Sequence, residues 1–242
     1  MKLRLATAIV AVLVGAAAHA EDVQKPFTMD GEFGFILTSG NTETTSLSAG
    51  LKSTQELTDW SNEYTAEVLY KQDELDNGTE TTAQKFFISG QGNYKLTNPR
   101  QRLFAFASYE DDRFSNFAFQ STVALGWNEK VLDTEQQRFS YSVGPGYSFA
   151  EDQMGEDLSS VILRGAIDYS YKLSDNAKLT QVFSTEYGED NVKSRSKTSV
   201  SAKLANGLSM KVSLKLDHNT EVDEGRENLD TETSVTLVYS FF

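Results

Sequence analysis

From about residue 29 to its end, the chain alternates apolar and polar side chains in steps of two. Phe139, Tyr141, Val143, Pro145, Tyr147 and Phe149 alternate with Arg138, Ser140, Ser142, Gly144, Gly146 and Ser148. Leu208, Met210, Val212, Leu214 and Leu216 alternate with Ser209, Lys211, Ser213, Lys215 and Asp217. Val161 to Leu173 repeats the pattern. A two-residue period puts apolar groups on one face of a strand and polar groups on the other. No segment after Ala20 carries a helical period. The reading gives twelve strands, over about 29–38, 42–56, 60–72, 80–96, 101–110, 115–130, 135–150, 158–173, 176–188, 193–205, 208–218 and 229–242. Two are weakly marked. In 101–110, Phe104 and Phe106 oppose Leu103, Ala105 and Tyr109, and the alternation in 193–205 is weak.

Met1 to Ala20 is different. Lys2 and Arg4 precede an apolar run from Leu5 to Ala18, and Ala18-His19-Ala20 has the small-x-small form of a cleavage site, so 1–20 reads as a secretory signal peptide. The run is shorter than the ~20 apolar residues of a membrane helix. Residues 21–28 are expected to form a short periplasmic segment and 29–242 one barrel domain. Without the leader the chain has 20 basic and 35 acidic residues, and His218 is its only histidine.

The connections sort into two alternating sets. Short turns are expected at 57–59, 97–100, 131–134, 174–175 and 206–207. The other set opens with the Gly40-Asn41 turn and is otherwise mostly longer and acidic: Asp73 to Gly78, Glu110 to Asp112, Glu151 to Asp157, Glu189-Asp190, and Asn219 to Asn228. Short turns at one end and longer loops at the other are the plan of an up-and-down transmembrane barrel. The fold class expected is therefore an all-β, antiparallel, up-and-down transmembrane β-barrel of about 12 strands in the outer membrane. Its apolar faces meet lipid, with Tyr94, Phe117, Trp127, Phe149, Tyr171, Tyr187 and Tyr239 near the edges of the belt, where amphipathic rings suit the interface. Its polar faces line the lumen through Lys52, Glu63, Glu67, Lys71, Lys85, Arg138, Arg164, Asp168, Lys172, Lys211 and Lys215, with Lys197 and Lys203 on the same faces. The alternative is a secreted soluble barrel with the apolar faces inside. The last strand is expected to reach the final residue, with Tyr239, Phe241 and Phe242 as the signal read by the outer-membrane barrel assembly machinery. It must also pair with the first strand, since an open edge in lipid strands its backbone groups.

Composition narrows the chemistry. With no cysteine, disulfides and thiolate sites are out of reach. Two histidines make a multi-histidine metal centre hard to build. A formal charge of −13 does not suit nucleic acid as a partner. No cofactor is expected. The partners expected are outer-membrane lipid and lipopolysaccharide, with divalent cations loosely held by the acidic loops. A rim-sited lipid hydrolase would need His218 as base with Thr220 and Glu232, and a non-enzyme is the expectation. Asn219-x-Glu221-x-Asp223 resembles the start of a calcium loop, but Gly225 falls one position late. Gly144-Pro145-Gly146 reads as a bulge or sharp bend at a barrel corner.

Gly31-Glu32-Phe33-Gly34 to Thr38-Ser39-Gly40-Asn41-Thr42-Glu43-Thr44, Arg102 to Phe114, Val131 to Thr134, and Val143 to Tyr147 together resemble the salt-induced outer membrane protein family. The resemblance spans the chain after the leader. It implies an outer-membrane barrel linked to salt response and carries no active-site motif. The function expected is a narrow polar channel for ions or small solutes in salt or osmotic response; the alternative is a structural envelope protein without transport.

Overall fold

The computed structural model describes residues 27–38, 43–75, 78–113, 115, 117–222 and 227–241. The signal-peptide segment, the Gly40-Asn41 turn and Phe242 lie outside them. Twelve strands follow in order: β1 Phe27–Thr38, β2 Glu43–Glu56, β3 Trp60–Leu75, β4 Gly78–Lys95, β5 Gln101–Asp112, β6 Phe117–Asp133, β7 Gln137–Asp152, β8 Ser160–Lys172, β9 Ala177–Gly188, β10 Val192–Ala205, β11 Leu208–Asn219 and β12 Leu229–Ser240. Each pairs antiparallel with its sequence neighbours, and β1 pairs with β12 to close the barrel.

The shortest strands have 12 residues, more than the ~9–11 that cross a bilayer's apolar layer. β3 and β4 run further, to Leu75 and from Gly78. The acidic stretch Asp73 to Gly78 is therefore mostly strand and not loop. The same correction applies to Glu110 to Asp112, which ends β5. Charged residues in a strand that outruns the apolar belt still alternate and still pair, so acidity alone does not mark the strand's end.

Burial is inverted relative to a soluble barrel. Among the described residues, Leu125, Val161, Leu163, Phe33, Leu237 and Tyr187 are exposed, while Asn93, Arg102, Glu110, Thr122, Arg164, Ser213 and Lys215 are buried. Apolar groups on the outside and polar groups within suit lipid, not water, as the surrounding solvent. Rings pair on the outer wall: Trp60 with Tyr94, Tyr147 with Phe149, and Tyr239 with Phe241 at 5.0 Å between centroids. Phe117 departs from the expected belt. It is buried, and the β6–β7 register shifts between it and Phe119.

The two weak strands form, each for a visible reason. In β5, Leu103 and Tyr109 face out while Phe104 is buried inside. In β10, the lipid-facing hydroxyls find partners: Gln181 Nε2 donates to Ser196 Oγ at 2.9 Å, Thr185 and Ser194 share a 3.0 Å bond, and Thr198 bonds Gln181. Polar groups satisfied this way cost little in an apolar surround.

At Gly144-Pro145-Gly146 the structure replaces the expected bulge with a lapse in the ladder. Ala124↔Gly146 and Trp127↔Val143 keep one register, and the two pairs between them are missing. Pro145 has no N–H to give. A Cβ on Gly144 would meet the Leu125 carbonyl oxygen at 1.9 Å and Gly126 Cα at 2.7 Å, so two glycine backbones pass at a distance no other residue allows. β12 also ends at Ser240, one residue before Phe241, whereas the sequence suggested a strand to the last residue. Phe241 still anchors, donating its N–H to Met29 O at 2.8 Å.

Candidate functional site

Strands that are not hydrogen-bonded neighbours can meet only across the barrel interior. Lys85 on β4 reaches Asp217 on β11 at 3.2 Å. Lys193 on β10 reaches Glu110 on β5 at 3.4 Å. Lys197 on β10 reaches Glu67 on β3 at 2.7 Å. These contacts identify the inward face of each strand, and alternation extends it along the wall.

The contacts join into one lattice. Glu110 is its hub: it accepts from Lys85 (3.1 Å), Lys193 (3.4 Å) and Arg195. Lys85 also holds Asp112 at 3.2 Å. Arg195 Nε donates to Asp217 at 2.8 Å, and its guanidinium lies over the Phe87 ring, 4.7 Å from the centroid. Lys215 stands 3.6 Å from both Glu67 and Asp217. Below it, Glu32 accepts from Lys211 and, at 2.6 Å, from Thr236 Oγ1. Removing so many charges from bulk water is tolerable only because each sign meets the other. The cations come mainly from β10 and β11, the anions mainly from β1, β3 and β5.

The β5–β8 sector is filled differently. Phe104, Ala124 and Ile162 are buried there, and a Cβ on Gly126 would collide with the Phe104 ring at 2.9 Å. Arg164 stacks over Phe106 at 3.7 Å. Its Nε stands 3.7 Å from Glu186, whose other oxygen accepts from Thr122 at 2.8 Å. Arg164 Nε and Nη1 are buried without a hydrogen-bond partner.

Open recesses lie beside the lattice and at the short-turn end. One, of about 50 Å³, lies against β1–β4 and β10–β12 and is bordered by Glu32, Ser48, Glu67, Lys197, Ser234 and Thr236; that volume holds a few waters. Another, about 300 Å³, opens at the short-turn end between Arg138, Lys172, Lys178, Ser201 and Lys203.

The lumen residues read from the sequence separate into groups. Glu67, Lys85, Lys211 and Lys215 are in the lattice, and Arg164 is in the aromatic sector. Lys52 lies opposite Asp30, Glu63 opposite Gln91, and Lys71 opposite Ser46, all on the inward face away from the hub. Arg138 and Lys172 are at the short-turn mouth, paired with Asp133 (3.4 Å) and Asp175 (2.9 Å); Asp168 faces Val182 nearby. The bond and charge from Lys172 hold the Asp175 carboxyl below its usual range. At the other end, Ser159 does the same for Asp157. The lumen residues named from the sequence do not include Glu32, Glu110, Asp112, Glu186, Lys193, Arg195 or Asp217, although the alternation sets Asp217 on the polar face of its strand. Parity alone would have placed Glu186, Lys193 and Arg195 inward as well. Glu110 and Asp112 were hidden inside a supposed loop.

The hydrolase arrangement is not assembled. His218 pairs with Leu229 on the outward face, while Glu232 pairs with Lys215 on the inward face. Thr220 Oγ1 accepts from the Val192 N–H at 2.8 Å. Asn219 Oδ1 accepts from Asn191 at 2.9 Å, which occupies the group that would open a calcium loop. No group of three or more metal-ligating side chains is found among the described residues.

Comparison with known proteins agrees with the architecture. The chain is 27% identical over 221 residues to the "uncharacterized protein YdiY" of Escherichia coli (strain K12), covering 90% of this chain and 84% of that one. Its backbone resembles the NanC porin, with a TM-score of 0.52 at 10% identity over 87% of this chain and 98% of that one. It also resembles the COG4313 outer membrane channel from Pseudomonas putida F1, with a TM-score of 0.50 at 10% identity over 93% and 100%. At such identities the likeness is one of fold. A family model described as "Protein of unknown function, DUF481" matches residues 31–241, and the chain belongs to that family.

Proposed function

We propose that the protein is an integral outer-membrane barrel, exported by cleavage of residues 1–20, whose lumen is a narrow polar conduit for ions or small solutes. The carrying observation is the cross-lumen lattice. Lys85, Glu110, Arg195 and Asp217 tie β4, β5, β10 and β11 together across the interior, which narrows mid-barrel passage, and the small recess beside β1–β4 and β10–β12 offers a way past them. Twelve strands lie between the ~8 that leave an interior filled by side chains and the ~16–18 of open porins. The exposed apolar belt supports the membrane location, and the printed descriptions of the structural neighbours, a porin and an outer membrane channel, agree with a conducting role. The separation of His218 from Glu232 supports a protein without lipid-hydrolase activity. The link to salt or osmotic stress rests on the family resemblance, and loosely held divalent cations on the acidic loop end.

Single-channel recording in planar bilayers tests the conduit. Small, ohmic, charge-selective steps are expected. Steady nanosiemens conductance would defeat the narrow lumen. Complete silence, with no swelling of proteoliposomes in salts or small sugars, would support a structural envelope protein instead.

A further inference from the structure

The barrel closes incompletely. Among the described residues, every other adjacent strand pair carries at least ten registered partners, but β1 and β12 share four, from Asp30↔Ser240 to Phe33↔Leu237. The same register would continue to Phe35 opposite Val235 and Thr38 opposite Glu232. Among the described residues, β1 from Gly34 to Thr38 has registered partners only on β2, and β12 from Glu232 to Thr236 only on β11. Two strand edges therefore face each other unpaired toward the acidic-loop end of the barrel.

Three further features coincide there. Phe33, Phe35, Val235 and Leu237 are exposed on the outer wall beside the seam, so its outer side meets the apolar layer. The 50 Å³ recess lies directly behind it, bordered by Ser48, Ser234 and Thr236. At the sill, Glu32 takes Thr236 Oγ1 and Lys211 and ties the last closed rung. Gly34 marks the final approach of the two strands: a Cβ there would meet Thr236 Cγ2 at 2.9 Å and the Val235 carbonyl oxygen at 3.4 Å. With hydrogen atoms only, that point has no side chain to bolt it.

Unpaired N–H and C=O groups in hydrocarbon are costly unless something polar reaches them. We infer that the loop-side half of the β1–β12 seam is a lateral portal for a phosphate-headed amphiphile. The phosphate enters between the strand edges to the recess, where Lys197 and Lys215 can meet it, and the rest of the headgroup stays at the seam. The acyl chain stays outside, along Phe33, Phe35, Val235 and Leu237. The lumen is thereby connected to the lipid leaflet as well as to water.

The chain has no cysteine, so a single introduced thiol can be followed without ambiguity. Ser234→Cys places it behind the seam, and Ser201→Cys places it in the short-turn recess. Each full-length variant is reconstituted in vesicles of digalactosyldiacylglycerol, a bilayer lipid without phosphate, after heat-modifiable migration confirms folding. Labelling by a bilayer-dissolved dodecyl maleimide is divided by labelling with a water-soluble sulfonated maleimide, which cancels differences in simple accessibility. The ratio is expected to be at least about tenfold higher for Ser234→Cys than for Ser201→Cys. Equal ratios overturn the portal. Added lysophosphatidylcholine should protect Ser234→Cys from the water-soluble reagent, and dodecyl maltoside should not. Equal protection by both, or by neither, overturns the assignment of a phosphate headgroup. Because neither readout involves current, failure of the portal is distinguishable from failure of the conduit.

Discussion

Glu110→Gln probes the lattice at its hub. The substitution keeps the shape and a carbonyl acceptor and removes one negative charge. Three cations lose it unequally. Lys85 retains Asp112 and Asp217, both at 3.2 Å, and Arg195 retains Asp217 at 2.8 Å. Lys193 keeps its bond to the Gln120 side-chain oxygen and the more distant charge of Glu186. Removing one partner of a wholly buried pair costs about 3–5 kcal/mol, but two of the three cations here remain compensated. The expected loss is nearer one charge-assisted hydrogen bond, about 1.5–3 kcal/mol. A permeating ion feels the change separately. One unit charge about 4 Å away is worth about 1 kcal/mol in water and about 4 kcal/mol at an effective dielectric near 20. Even the lower figure is roughly a fivefold change in relative occupancy. The assay is the zero-current potential across a planar bilayer in a KCl gradient, with urea unfolding in detergent run alongside. Permeability should shift toward chloride by about fivefold or more, with a lower unfolding midpoint. A folded variant whose reversal potential is unmoved, or moves toward potassium, would refute the claim that the charge of the lattice acts on ions passing beside it.

The glycine crossing and the orphan guanidinium give two further expectations. Gly144→Ala drives a methyl into the Leu125 carbonyl and the Gly126 backbone, neither of which can rotate away, so the cost should be about 3 kcal/mol or more, at or above the usual range for overpacking; Gly165→Ala, whose Cβ would meet only Thr185 Cγ2 at 3.8 Å, should stay within about 0.5 kcal/mol, and equal unfolding midpoints would contradict the close crossing. Arg164→Met combined with Glu186→Gln removes two buried donors that lack a hydrogen-bond partner together with the carboxylate charge 3.7 Å away, and the new amide can still accept from Thr122, so stability should hold within about 1 kcal/mol or rise; a drop of several kcal/mol in detergent unfolding would show that the guanidinium is engaged in the native barrel.

The architecture was legible because lipid and lumen impose opposite demands on alternate residues, and a strand's faces alternate with the same period. Val161 to Leu173 and Leu208 to Asp217 therefore show their faces in the sequence alone, and the alternation of short with acidic connections marks both ends of the barrel. β10 was harder to see. Ser194, Ser196 and Thr198 break the apolar pattern, and only the neighbouring strand supplies the Gln181 and Thr185 groups that satisfy them. β5 was equivocal because Phe104 and Phe106 turn inward to fill the sector left open by Gly126 and Gly144.

Sequence by itself thus indicated about twelve strands, their antiparallel order and the inward parity of most of them, since these follow from local periodicity and loop length. It could not say that Glu110 on β5 meets Lys193 and Arg195 on β10, because partners across a barrel depend on register and closure summed over every intervening strand. Nor could it reveal that β1 and β12 part after Phe33. Where the two ends of a closed sheet meet is decided by the accumulated stagger of twelve strands, and no local stretch of chain encodes it.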